Sequence, residues 1–137
     1  MGAEILQGEY LSDNIAVDQM TAATGAGTST ITSSALDCAG FDGVMIIAVV
    51  GTAATNNTLT LQTGATSTTA DTSSTVAATA SIGLLVLDTK LDKRYIKTKV
   101  VRGTSTTIDQ VIAIRYKARA KAVAQTAAQN VIAQFTL

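Results

Sequence analysis

Few residues in this chain have the chemistry to act on a substrate, and the missing types exclude most active sites. There is no histidine among the 137 residues. Imidazole is therefore unavailable for general acid-base catalysis, for serine or cysteine triads and for metal ligation. The single cysteine, Cys38, has no base near it in sequence and reads as a small buried residue rather than a nucleophile. Asp37 with Asp42, and Asp88 with Asp92, supply the two carboxylates that a glycosidase uses. Each pair flanks a turn, where Asp commonly serves the backbone, so a structural role is favoured. The stretch Thr24-Gly25-Ala26-Gly27 lacks the Gly-Lys-Ser/Thr ending of a phosphate loop. These observations point to a non-enzyme with no catalytic residue, no cofactor and no metal.

What remains is charge, and it is unevenly distributed. Residues 1–87 carry seven acids and no base, residues 88–121 carry ten bases and three acids, and residues 122–137 carry neither. Such segregation predicts a molecule with surfaces of opposite sign, suited to a charged neighbour or to copies of itself. Most of the bases fall in residues 93–119, KRYIKTKVVRGTSTTIDQVIAIRYKAR. Alternation there predicts a strand with Ile112, Ile114 and Tyr116 facing the core and Arg115, Lys117 and Arg119 on a cationic outer face. A preceding strand around Tyr95, Ile96, Val100 and Val101 adds Lys97, Lys99 and Arg102, and residues 103–107 read as the hairpin loop between the two. The patch suits phosphate groups or an acidic protein surface, and it also suits a merely solubilising face. A pI near 6.1 and the scarcity of stacking aromatics weigh against direct nucleic-acid binding.

The elements that must position these residues are β-strands. Thr and Ala number 23 each, aromatics are 4%, and proline and tryptophan are absent, so the core must come from Val, Ile, Leu and Ala. Residues 44–50 are apolar on both faces, as expected of a central strand covered on two sides. Residues 58–62 alternate with Leu59 and Leu61 inward, and residues 82–87 form another core strand. Residues 63–81 read as a long loop with one strand near Val76. The expectation is a single all-β domain, an antiparallel β-sandwich, divided into an N-terminal arm or edge segment (1–30), the sandwich (31–119) and an apolar C-terminal tail (120–137). In the tail, Val123, Ala127, Val131 and Phe135 recur every four residues and would make one helical stripe. This tail either folds back on its own body or reaches a neighbouring subunit. The longest apolar run, seven residues, falls far short of the roughly 20 needed to span a bilayer. With no basic stretch ahead of an apolar one at the start, a soluble protein made in a cytoplasm, without a membrane partner, is expected.

The sequence Gly40-Phe41-Asp42-Gly43-Val44 opens the apolar strand. Lys93-Arg94-Tyr95-Ile96 leads to Val100-Val101-Arg102-Gly103-Thr104, and then to Val111-Ile112-Ala113-Ile114-Arg115-Tyr116. Together these stretches, within residues 38–119, resemble the capsid decoration (cement) proteins of tailed bacteriophages. That resemblance implies a jelly-roll-like sandwich with an extended N-terminal arm and C-terminal tail. It implies a virion structural protein, made in the bacterial host cytoplasm, that binds the outer capsid surface and clamps adjacent subunits of the major capsid protein. Self-association as a dimer or trimer would accompany this. The expected contact residues are Arg115, Lys117, Arg119, Lys97 and Lys99 on the basic strands, with Val131, Phe135 and Leu137 in the tail. A tail, head-tail joining or fibre-associated β domain is the first alternative. A cellular carbohydrate-binding module is the second, weakened by the shortage of aromatic platforms.

Overall fold

A computed structural model describes residues 10–51, 57–68, 71–79, 82–103, 106–120, 123–129 and 131. Ten strands follow one another: β1 (Ala16–Thr21), β2 (Thr24–Gly27), β3 (Ile31–Thr32), β4 (Leu36–Asp37), β5 (Gly43–Val50), β6 (Asn57–Gly64), β7 (Thr72–Thr79), β8 (Gly83–Lys90), β9 (Tyr95–Val101) and β10 (Thr106–Tyr116). One sheet runs β1-β10-β5-β8, with β2 also paired to β10; the other runs β3-β9-β6-β7, with β4 also paired to β9. Every pairing is antiparallel.

Because β1 and β2 pair with successive parts of β10, and β3 and β4 with successive parts of β9, each couple occupies one interrupted edge position. That leaves eight positions, in the order 1-8-3-6 in the first sheet and 2-7-4-5 in the second. Apart from the β6–β7 hairpin, each connection between positions crosses from one sheet to the other. This is the jelly-roll form of an antiparallel β-sandwich. Its core is aliphatic, with Val44, Ile46, Val50, Val111 and Ile108 from one sheet meeting Leu59, Leu61, Ile96 and Val100 from the other. Residues 16–27, within the span expected as an arm or edge segment, supply the edge strands β1 and β2.

Several expectations are corrected. The basic "hairpin" is an arch: β9 belongs to one sheet and β10 to the other, so their apolar faces meet across the core rather than side by side. The crossing is anchored by Arg102, which is buried rather than part of a cationic patch. Its guanidinium donates to the carbonyls of Ser29 (2.7 Å), Gly25 (2.6 Å) and Thr106 (2.9 Å) and to Ser29 Oγ (2.8 Å). Beside it, buried Asn57 Oδ1 accepts from Gly103 N at 2.7 Å and Thr106 Oγ1 at 3.0 Å. These bonds satisfy polar groups that the crossing would otherwise bury unpaired.

The faces of β10 are also the reverse of the expected ones. A register shift between Ile108 and Gln110 changes the alternation, so that Val111, Ala113 and Arg115 point inward and Ile112, Ile114 and Tyr116 point outward. One extra residue is enough to exchange the two faces of a strand. The strand expected near Val76 is present and longer than expected, so residues 63–81 are not mainly loop. Their Thr- and Ser-rich second half is the full strand β7, paired with β6 through a turn in which Asp71 Oδ2 accepts from Ala65 N at 3.0 Å. Pairing to β6 extends this strand over eight residues, a length its own sequence does not announce because it has no apolar alternation.

The tail through Gln129 folds back on its own body. Its described residues 123–129 are irregular except for one 3-10 turn at Ala127–Gln129, so no helical stripe runs through them. Gln125 Oε1 accepts from Val17 N at 2.9 Å, while its Nε2 donates to Ile15 O at 2.7 Å and Ser12 O at 3.2 Å. Gln129 Nε2 donates to Val17 O at 2.9 Å. Two side-chain amides thus take the place of a further strand along the outer edge of β1, which would otherwise offer unpaired backbone groups. Gln125→Ala should lower unfolding stability by about 1–3 kcal/mol, the cost of leaving such groups unsatisfied, as read from urea denaturation midpoints.

Candidate interaction surfaces

The inward turn of Arg115 brings it to Asp18 on β1. Arg115 Nε and Nη2 donate to the two carboxylate oxygens at 2.9 and 3.2 Å, and Nη1 donates to Asp37 O at 2.9 Å. The guanidinium also lies over the Phe41 ring, 4.7 Å from its centroid, with the geometry of a cation–π contact. The two side chains are only 14% and 6% exposed. Burial raises the pKa of Asp18 above its ordinary value, and the facing Arg115 opposes that rise. Arg115 is therefore not an outward docking residue, as had been expected.

Two more pairs lie near it. Arg94 Nε and Nη2 donate to both oxygens of Asp37 at 2.9 and 2.8 Å, and Arg119 Nη2 meets Asp42 at 2.7 Å. The bidentate hydrogen bond from Arg94 leads the causes that hold the Asp37 carboxyl down to about 2. Both pairs are exposed at the surface. The charge segregation of the sequence is therefore not carried over as two opposite surfaces. Acids from the first third of the chain meet arginines from the last third, because the jelly roll lays its first strands beside its last ones. All four arginines are engaged within the molecule.

The other expected contact residues are scattered. Lys97 and Lys99 lie half-buried on the outer face of β9, where Gln62 and Thr60 are their partners across the sheet. Lys117 takes a positive φ of 54°, which ends β10 and leaves its side chain exposed at the end of the opposite sheet. Val131 is half-buried, with its amide donating to Thr126 O at 3.4 Å. Phe135 and Leu137 lie outside the described residues. The described basic residues thus form no single patch. Cys38 is buried, and burial pushes its thiol up to about 12, so it stays protonated in neutral solution. Among the described residues no group of three or more Cys, Asp or Glu is placed to hold a metal ion, and no helix is long and apolar enough to cross a membrane.

The surface that sequence reasoning missed is the outer face of the β1-β10-β5-β8 sheet. In register across it stand Ile112, Ile47 and Val86 in one row, and Val17, Ile114 and Met45 in the next. Val49 and Leu84 extend it. Leu84 is 63% exposed, Val86 46%, and Leu11 at the margin 74%. A hollow of about 350 Å³ opens between Leu11, Ile15, Met45, Asp88, Ile114 and Tyr116. The Tyr116 ring covers Gly43, where a Cβ would collide with it, and its hydroxyl donates to Asp88 at 2.6 Å. The double-sided apolarity of residues 44–50 was the available signal: only one side is covered by the opposite sheet, and the other is this face.

No protein-family model matches the chain, and no curated protein matches it. A solved structure from work titled as showing that Bacillus endospore appendages form a family of disulfide-linked pili is similar over 77% of this chain and 90% of that one, at 18% identity and a TM-score of 0.46. That likeness is too distant to say what this chain does, and the jelly-roll assignment rests on the strand order itself.

Removing one member of the buried pair should be costly: Arg115→Ala is expected to destabilise the fold by about 3–5 kcal/mol, because Asp18 is left buried without its counter-charge. Guanidinium denaturation measures this, and a loss under about 1 kcal/mol would show the pair to be no more than a surface contact. For Asp37 the folded-state pKa lies below the unfolded one. Its contribution is therefore present above pH 3.8 and is lost as pH falls through about 2. Carboxyl-carbon NMR titration should find Asp37 half-protonated near 2, and Arg94→Gln should return it towards the ordinary Asp range.

Proposed function

We propose that this chain is a non-enzymatic structural protein of a bacteriophage virion that binds the outside of the capsid and cements adjacent major capsid subunits. The observation that carries this reading is the use of its polar chemistry. All four arginines and three of the acids are committed to holding the jelly roll together. What is left facing outward is a broad apolar sheet on one side and a face bearing Lys97 and Lys99 on the other. A rigid body with docking faces and no imidazole suits an assembly part rather than a catalyst. The motif resemblance over residues 38–119 supports the capsid as the assembly.

With Arg115 turned inward, the charge available for an acidic capsid surface comes from Lys97 and Lys99, together with exposed Lys117 at the end of the other sheet. Purified protein should bind expanded shells that lack it to a fixed ratio of about one copy per few capsid subunits, and should raise the shell's melting temperature. Lys97→Glu with Lys99→Glu should reduce occupancy at low salt and have less effect as salt rises. Sedimentation with gel densitometry reads both. Binding limited to a handful of copies per particle would instead favour a tail, joining or fibre-associated component.

A further inference from the structure

We propose that the hollow on the outer face of the β1-β10-β5-β8 sheet is a docking site for a partner peptide in which an apolar side chain stands beside a basic one. The apolar group fills the hollow, and the basic group meets Asp88 at its rim. This site does not depend on the capsid reading, and three observations select its occupant.

The first is the lining. Leu11, Ile15, Met45 and Ile114 wall a hollow of about 350 Å³, and Asp88 and Tyr116 are its two polar residues. That volume lies at the small end for a ligand site and suits one large apolar side chain. Leu11 overhangs it at 74% exposure, so an occupant would take a large aliphatic group out of water. The second is charge. The Tyr116 hydroxyl donates to Asp88 Oδ1 at 2.6 Å, which holds the carboxylate at the rim and the tyrosine pKa above its ordinary value. Among the described residues Oδ2 accepts no hydrogen bond and Asp88 forms no ion pair. Lys90 and Lys117, the nearest lysines in sequence, do not line the hollow, and Arg115 is turned inward to Asp18. A carboxylate held beside apolar walls with no base of its own is complementary to a cation from outside.

The third is continuity, which makes the occupant a peptide. Beyond Met45 and Ile114 the next row of the sheet holds Ile112, Ile47 and Val86, and the row after it Val49 and Leu84. Successive rows lie two residues apart along the strands, about 7 Å. An extended peptide repeats its side chains on one face at that same interval, so a residue seated in the hollow sets a second apolar one over Ile47 and Val86. Gln19 and Gln110, joined side chain to side chain at 2.7 Å, border this strip and keep it narrow, one peptide wide. The ends of the chain itself do not match the charge. Residues 1–9 carry Glu4 and Glu9 and no basic side chain, and residues 122–137 carry no charged side chain.

Titration of the full chain, free of capsid, with the peptide acetyl-Leu-Ser-Phe-Lys amide tests the proposal through the methyl NMR signals of Met45 and Ile114. Both signals should shift and saturate. Replacing the lysine of the peptide by glutamate should weaken binding about fivefold or more, and added salt should shrink that difference. Asp88→Asn, whose side-chain oxygen can still accept from Tyr116, should abolish the preference for lysine. Leu11→Ser, at an exposed position, should weaken both peptides about threefold or more. Methyl signals that stay still, or a preference that survives Asp88→Asn, would overturn the proposal. So would equal binding of the lysine and glutamate peptides. Phenethylamine binding as tightly as the lysine peptide would make the occupant a small amine, and shifts of these signals on dilution alone would make it a second copy; either result overturns the peptide site.

Discussion

The contact on which this architecture turns is the ion pair between Asp18 on the first strand and Arg115 near the end of the last. A guanidinium and a carboxylate taken this far out of water are tolerated only in good mutual geometry. The pair has it, with two hydrogen bonds between them, a third from Arg115 to the Asp37 carbonyl, and the Phe41 ring beneath. Holding Arg115 inward sets the side on which every neighbouring residue of β10 lies. Val111 and Ala113 then enter the core, and Ile112, Ile114 and Tyr116 are left on the outer surface. The apolar face and the buried salt bridge are two consequences of one strand phase.

The same economy runs through the rest of the molecule. Arg102 fastens the arch between β9 and β10 by gathering backbone carbonyls, and Asn57 satisfies the backbone on the other side of that crossing. Gln125 and Gln129 close the exposed edge of β1 with side-chain amides where a further strand would otherwise be needed. Polar residues thus serve as fasteners at the places where the sheets would otherwise leave backbone groups open. With the arginines engaged internally, the described outer surfaces present aliphatic area on one sheet and lysines on the other. Those two kinds of surface suit different neighbours: a largely apolar one and an acidic, salt-sensitive one.

Much of the fold was legible in the residues alone. The β-rich composition, the run at residues 44–50 and the alternation of Leu59 and Leu61 identify an antiparallel sandwich, and β5 and β6 lie there. A strand near Val76 was expected and β7 lies there, but its length was not legible, because Thr, Ser and Ala carry no inside-outside contrast. The basic stretch misled for two reasons. A five-residue polar loop can join two strands of one sheet or carry the chain across to the other, and local sequence does not distinguish the two. Nor does alternation say which face is inside when both faces are apolar, as they are at Val111 to Ile114.

By itself the sequence determined composition and its exclusions: no imidazole, one thiol, an aliphatic core and strands rather than helices. These follow from residue types and short-range periodicity. Only the tertiary structure decided which charges meet, which face of β10 is buried and where the tail goes. Each of those depends on contacts between residues far apart in the chain, 97 positions in the case of Asp18 and Arg115. A charge pattern read along the chain pointed to opposed surfaces. The jelly roll folds the acidic end back onto the basic one, and so turns much of that opposition into cohesion.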